Sequence, residues 1–326
     1  MSEGMRAAVI GAGGVGKHHV KWLMRAGCEV LGFVGTSDQS IARTTDTLKT
    51  MCGCAGKGYT TVDGLLAECG PQVVSVCSPM SLHYGHVMMC LVAGAHVLCE
   101  KPLVGSMGLN ARAQLYLGEK LVEAARELNQ LLAVNTQYAA AAEQLRAICE
   151  QAGVPATPVT DFFMQMESRG TKGGREYEAI WHDLVAHPLS VLLALVPEGQ
   201  VDWGSVKCVL EPQRNECTFD FVPPGGPACR ARILLRNVPE GPMERQFTIN
   251  GVNVKYEGRN DEDGVYCAYL MQGDTETKAR DFMEASITRF AQAAQGEGSP
   301  LVTGEVGLRN LELQLRLLEG ADRRTA

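Results

Sequence analysis

With 326 residues, 45% of them hydrophobic and 21% charged, the chain has material for about two globular cores and is too apolar to be disordered. A formal net charge of -7, with basic residues clustered no further than pairs such as Arg323–Arg324, excludes the footprint of a nucleic-acid or anionic-membrane binder and favours small-molecule partners. The start, MSEGMRAAVIGAGG, shows no basic-then-apolar leader and no later run reaches membrane-spanning length, so the expected location is cytoplasmic. Twelve scattered cysteines are expected there as reduced, mostly buried thiols; Cys52-Gly53-Cys54 is a tight spacing without companion ligands, so no metal is expected.

In chain order, MRAAVI (5–10) reads as a buried strand, GAGGVG as a turn, and KHHVKWLMRAG as a helix with Val20, Leu23 and Met24 at helical spacing. EVLGFV is a second strand and IARTTDTLKTM a second helix; in GYTTVDGLLAECG, Asp63 is placed to cap a third, before the strand VVSVC. SPMSLHYGHVMMCLVAGA predicts a helix, followed by the strand HVLCE, a long helix over roughly 107–128, and the strand LLAVN. Apolar strands without alternation, separated by helices, predict a parallel sheet covered on both faces: an α/β Rossmann domain over residues 1–135.

The pattern then changes. After the helical AAAAEQLRAICEQAG, the runs VTDFFMQMES, CTFDFV, ARILLRNV and RQFTINGVNVKYEG alternate apolar with polar residues between Gly, Pro and Asn turns. They predict an α+β domain over 136–302 with an open, predominantly antiparallel sheet. In 303–326, Thr303 and Glu305 precede a helix with Leu308, Leu311, Leu315 and Leu318 on one face, expected to pack back on the first domain.

Gly11, Gly13 and Gly16 form G-x-G-x-x-G between the first strand and helix, with Gly14 and Val15 in the same turn. The first glycine permits the tight turn, the second lets a pyrophosphate approach, and the third lets helix and strand pack, so a dinucleotide is the expected ligand. The acid that would bind the ribose 2′-hydroxyl is missing: the position is Gly35, followed by Thr36 and Ser37, with Arg43 in the next helix. These residues favour NADP over NAD, with Asp38 a weak counter-argument. Further on, WHDLVAHPLSVLLAL places Asp183 and His187 four apart in an apolar stretch. On one helix they share a face, and the carboxylate can orient the imidazole for acid–base work; a purely structural pair is the other option. Pro188 forfeits a hydrogen bond to Leu184 and predicts a kink there.

Residues 78–103, SPMSLHYGHVMMCLVAGAHVLCEKPL, resemble the corresponding stretch of the glucose–fructose oxidoreductase / inositol dehydrogenase / rhizopine catabolism (Gfo/Idh/MocA) family, with Glu100-Lys101-Pro102 as the most specific signal. The resemblance implies a Rossmann domain followed by the open-sheet domain, Lys101 directed at the nicotinamide, and Asp183 and His187 as the family's D-x-x-x-H pair. It adds Ser78, Pro79, His83, Glu100 and Lys101 to the residues expected around the cofactor. The arginine common after the sixth strand is absent from VNTQYAAAA, so Gln137 and Tyr138 are expected to shape the substrate pocket with Lys101, Asp183 and His187. The implied activity is hydride transfer between NADP or NAD and a secondary hydroxyl or carbonyl of a sugar, cyclitol or nucleotide-sugar, with either His187 or Lys101 carrying the proton. A nicotinamide-dependent glycosidase and a non-catalytic redox sensor are the alternatives. The implied assembly is a homodimer or homotetramer through the open sheet face.

Overall fold

The computed structural model describes residues 4–105, 108–169 and 177–324. They form two compact units, Met1–Gln137 with Met283–Leu311, and Tyr138–Phe282 with Glu312–Ala326.

The first unit alternates β1 (Arg6–Ile10), α1 (Gly16–Arg25), β2 (Glu29–Val34), α2 (Asp38–Cys52), β3 (Lys57–Tyr59), α3 (Val62–Cys69), β4 (Val73–Val76), α4 (His83–Val92), β5 (His96–Glu100), α5 (Ala111–Glu127) and β6 (Leu132–Asn135). The strands make a parallel sheet in the order β3-β2-β1-β4-β5-β6. All four residues of β4 are buried, as expected of a strand covered on both faces. Helix starts follow local capping chemistry: Asn110 caps α5, and the Thr61 hydroxyl, on extended backbone, accepts from the Gly64 N–H at 3.2 Å. Asp63, expected as that cap, sits instead inside the first turn of α3. The expected helix start at Met107 lies outside the described residues.

The second unit contains α6 (Ala141–Gln151), β7 (Asp161–Ser168), α7 (Tyr177–Leu184), α8 (Ala186–Leu195), β8 (Gln200–Glu211), β9 (Arg214–Val222), β10 (Cys229–Asn237), β11 (Arg245–Ile249), β12 (Val252–Asn260), β13 (Tyr266–Gln272) and β14 (Thr275–Arg280). Period-two patterning sets the faces: on β9, Asn215, Cys217, Phe219 and Phe221 are buried, while Glu216, Thr218 and Asp220 alternate with them. Trp181, Leu189 and Leu192 share one core with Phe219, Phe221 and Ile233. The opposite face is open and carries ion pairs, among them Arg232–Glu216 at 2.6 Å and Arg236–Glu167 at 3.1 Å. The expectation of reduced thiols throughout is corrected here. Cys208 and Cys217 face each other across the β8–β9 pair with Cα atoms 4.1 Å apart and form a disulfide, while the other ten cysteines are not disulfide-bonded.

The last segment departs from the expected boundaries. In α9 (Phe282–Ala294), Ile287, Phe290 and Ala291 pack with Ala7, Val9, Trp22 and Leu98, so this helix belongs to the first unit and not to the second domain as expected. Val302 then accepts from the Val134 N–H at 3.0 Å. The first half of α10 (Gly304–Glu319) stays with the first unit, and its second half, with Leu313, Leu317 and Leu318, enters the second unit's core. β15 (Asp322–Arg323) then pairs with β8, completing a sheet ordered β14-β13-β12-β11-β7-β10-β9-β8-β15, antiparallel except at β7–β10 and β8–β15. Residues 303–326, expected in one domain, thus divide between two. Buried Leu311, Leu313, Leu315 and Leu317 explain the division, because residues two apart cannot share one helix face. No described helix is long and apolar enough to cross a membrane.

Candidate active site

In the first unit, the expected cofactor residues line the carboxyl ends of the parallel strands, around β1 and β4, where the strand order reverses. That is where open α/β sheets bind ligands. The three glycines differ in what they answer to. Gly11 has φ +89°, donates to the Val34 carbonyl at 3.0 Å, and would place a Cβ 2.7 Å from the Cys77 oxygen. A Cβ on Gly16 would run into the Gly11 carbonyl. Both are therefore required by packing. Gly13 is not: its Cβ would have only Thr44 Oγ1 nearby, at 3.5 Å, and around Gly14 nothing lies within 4 Å. Gly13, Gly14 and Val15 are exposed, and Val15 caps α1 without any side-chain hydrogen bond. Open space above uncapped helix amides fits a dinucleotide pyrophosphate.

At the end of β2, a Cβ on Gly35 would lie 2.9 Å from Ile41 Cγ1 and 3.0 Å from Ser40 Oγ, so an acidic residue has no room there. Ser37 is occupied with capping α2: its hydroxyl accepts from the Ser40 N–H at 3.2 Å, and Ser40 Oγ accepts from the Ser37 N–H at 3.0 Å. Thr36 donates to Ser40 Oγ at 3.4 Å, and Arg43 is exposed on α2. Beyond β4, buried His83 places Nε2 2.9 Å from the Ser78 carbonyl and Nδ1 2.8 Å from the Pro102 carbonyl, bracing the turns after β4 and β5. Burial pulls its pKa down against those two carbonyls. His86 meets the Ser78 hydroxyl at 2.9 Å, while Pro79 is exposed.

In this unit His19 and Asn135 escaped the sequence reasoning. Glu100, at the end of β5, lies 2.9 Å from His19 Nε2 on α1 and accepts from Asn135 Nδ2, at the end of β6, at 2.6 Å. Burial pushes the Glu100 carboxyl up, but His19, Asn135 and the adjacent Lys101 together hold it below the usual carboxylate value. The available signal was phase: His19 falls among Gly16, Val20 and Leu23 on the buried face of α1, where a polar residue needs a partner. Half-buried Lys101 follows directly, before a cis bond to Pro102. Gln137, the last residue of this unit's first segment, has its buried Oε1 without a hydrogen-bond partner.

In the second unit, the helical stretch expected to kink at Pro188 is interrupted earlier, at Val185, leaving Asp183 in the last turn of α7 and His187 in the first turn of α8. Pro188 falls at the third position of α8, where no intrahelical donor is required. His187 is 9% exposed, its carbonyl accepts from the Ser190 hydroxyl at 2.7 Å, and its ring lies 5.0 Å edge-on from buried Tyr138. Trp181 Nε1 donates to the Gln314 carbonyl at 3.1 Å and ties α7 to α10. Tyr138 also packs against Tyr256 at 5.6 Å and Phe282 at 5.8 Å, with the Arg245 guanidinium 5.8 Å from its ring. Burial pushes the Tyr138 hydroxyl up to about 12, and that of Tyr256 higher. Of the expected substrate residues, Tyr138, Asp183 and His187 belong to this unit, Lys101 and Gln137 to the first. Sequence reasoning missed Arg245 and Tyr256.

A glycine turn left open at Gly13 and Gly14, set at a sheet's switch point beside the clamped Glu100 and its neighbour Lys101, defines a dinucleotide-binding protein of the oxidoreductase type. Residues 5–136 match the family described as "Oxidoreductase family, NAD-binding Rossmann fold" (GFO_IDH_MocA). A 1,5-anhydro-D-fructose reductase from Ensifer adhaerens is 32% identical over 335 residues, covering 97% of this chain and 96% of that protein. The chain therefore belongs to the Gfo/Idh/MocA oxidoreductase family. A D-glucoside 3-dehydrogenase of Escherichia coli (strain K12) is 37% identical over 102 residues, 31% of this chain, so the match spans 28% of that protein's length. Among solved structures, a variant of a 3-ketoreductase from Actinomadura kijaniata in complex with TDP-benzene and NADP has the same fold, with TM-score 0.74, 19% identity and 99% of each chain covered.

Proposed function

We propose that this chain is an NAD(P)-dependent dehydrogenase or reductase acting on a secondary hydroxyl or carbonyl of a sugar, cyclitol or nucleotide-sugar. The observation that carries it is the Glu100 clamp: His19 and Asn135 fix the backbone from which Lys101 leaves, on the same sheet rim as the open Gly13 turn. The relatives named for sugar substrates support the substrate class.

When bound, the nicotinamide takes up or supplies the hydride. The Gly11–Gly16 turn and the first amides of α1 hold the pyrophosphate, while Thr36, Ser37 and Arg43 meet the ribose end, where the lack of an acid at Gly35 favours NADP(H). The Lys101 side chain donates to the reacting substrate oxygen and stabilises charge that develops on it. His187, oriented by Asp183 and held edge-on by Tyr138, takes the hydroxyl proton in oxidation and returns it in reduction. The open face of the second sheet is the surface for a second copy of the chain.

The test is a screen of sugars, cyclitols and nucleotide-sugars with NAD⁺ and NADP⁺, reading reduced nicotinamide by absorbance. Stoichiometric reduced cofactor with at least one of them is the expected result. Cofactor that binds and is never reduced or released points to the glycosidase alternative and overturns the proposal.

A further inference from the structure

On β11, Arg245, Phe247 and Ile249 share the face that points into the second unit's core, so Arg245 is a cation where the pattern calls for an apolar residue. Its surroundings are aromatic: the guanidinium lies 5.8 Å from the Tyr138 ring and 5.6 Å from the Tyr256 ring. Its Nε is shut off from solvent and has no hydrogen-bond acceptor. Among the described residues, no carboxylate forms an ion pair with it. On the same sheet Arg214, Arg232, Arg236 and Arg259 each pair with a glutamate. Buried Asp281 is the nearby acid felt by both tyrosines.

Hydroxyl groups converge on the same place. The Tyr256 and Tyr138 rings meet edge-on with centroids 5.6 Å apart. A Cβ on Gly258 would strike the Tyr266 hydroxyl and lie 3.0 Å from that of Tyr256, which is the reason a glycine stands there. A guanidinium left without an anion in a partly desolvated aromatic frame is costly unless a ligand supplies the charge. Because Tyr138 contacts both Arg245 and His187, this frame adjoins the imidazole.

We propose that Arg245, framed by Tyr138, Tyr256 and Tyr266, anchors an anionic substituent, a carboxylate or a phosphate, on the substrate, so that the preferred substrate is an acidic sugar and not a neutral one. The proposal rests on the dehydrogenase reading for the identity of the ligand as a substrate. The guanidinium fork matches a pair of oxygens on either anion, and the tyrosine hydroxyls complete the contact.

Calorimetric titration of the full chain, with and without saturating NADP⁺, tests it using D-glucose, D-glucuronate and D-glucose 6-phosphate. The wild type is expected to bind one of the anions about tenfold or more tightly than glucose, and which anion gains separates carboxylate from phosphate. Arg245→Gln should remove that advantage while glucose and NADP⁺ affinities stay within about twofold; Arg245→Lys, which retains the charge, should keep part of it. Equal or absent binding of the three sugars, or a preference that survives Arg245→Gln in protein melting as wild type, overturns the anchor. If Arg245→Gln does not fold, the same criterion applies to Arg245→Lys, whose unreduced preference overturns it. Absorbance read in parallel keeps the two proposals apart: anion binding through Arg245 without reduced nicotinamide sinks the dehydrogenase and leaves the anchor, and reduction with no anion preference does the reverse.

Discussion

His19 Nε2 lies 2.9 Å from a carboxylate oxygen of Glu100, joining the first helix of the Rossmann unit to its fifth strand, 81 residues further on. The imidazole is fully buried and the carboxylate nearly so. The folded-state pKa of Glu100 lies below its usual value, so the ionised group stabilises the fold above the unfolded carboxylate pKa of about 4.3, and that contribution fades as pH falls through the folded value. Glu100→Gln should cost about 2 kcal/mol at neutral pH. The Tm gap from wild type should be widest above about pH 5 and narrow below about pH 4. A gap that grows toward acid would refute this account.

Gly13→Ala separates ligand needs from packing needs. The added Cβ meets nothing closer than 3.5 Å, so Tm should move by no more than about 1 °C, while dinucleotide affinity falls by about tenfold or more. Gly16→Ala, whose Cβ collides with the Gly11 carbonyl, should lower Tm as well. Melting curves and nicotinamide fluorescence titrations read the two effects, and unchanged affinity in Gly13→Ala counts against the placement of the pyrophosphate.

NADP(H) should bind at least as tightly as NAD(H), because Ile41 and Ser40 leave no space at Gly35 for an acid that would repel a 2′-phosphate. Arg43→Ala should weaken NADPH by about fivefold through a lost charge-assisted contact and leave NADH alone. A clear NADH preference in the wild type by fluorescence would sink this prediction.

Lys101→Ala and His187→Ala should each lower kcat by on the order of a hundredfold, with cofactor affinity almost unmoved. If Lys101 and His187 act on one substrate oxygen, the double variant should lose far less than the product of the single losses. Asp183→Asn should cost less than His187→Ala at high pH, where the imidazole needs little help to be neutral. A lowered Tm with near-normal turnover would mark Asp183 and His187 as a structural pair.

The Rossmann unit was legible because each of its signals is local: glycine spacing, apolar strands without alternation, and the Glu100-Lys101-Pro102 tripeptide all lie within short windows. His19 and Asn135 were not, because their meaning arises only when α1 and β6 close on the end of β5. Arg245 and Tyr256 likewise carry ordinary strand patterning until the register of β11 and β12 turns them to the core face. The Cys208–Cys217 bond depends on a pairing register that spacing alone does not specify. The Asp183/His187 stretch was half legible: Pro188 announced a disturbance, and the break itself falls three residues earlier, at Val185.

The backbone passes between the two units after Gln137, after Phe282 and after Leu311, so neither unit is a contiguous piece of the gene. A fragment stopped at Gln137 lacks Phe290 for its core and the Val302 carbonyl for β6. One covering only Tyr138–Phe282 lacks Leu313, Leu317 and the strand that pairs with β8. Dissection into halves therefore yields two unfinished bodies. On the ribosome, where domains ordinarily close in order of synthesis, the first unit must wait for its Met283–Leu311 segment and the second for the residues after Leu311, so a stop codon ahead of Met283 leaves neither complete.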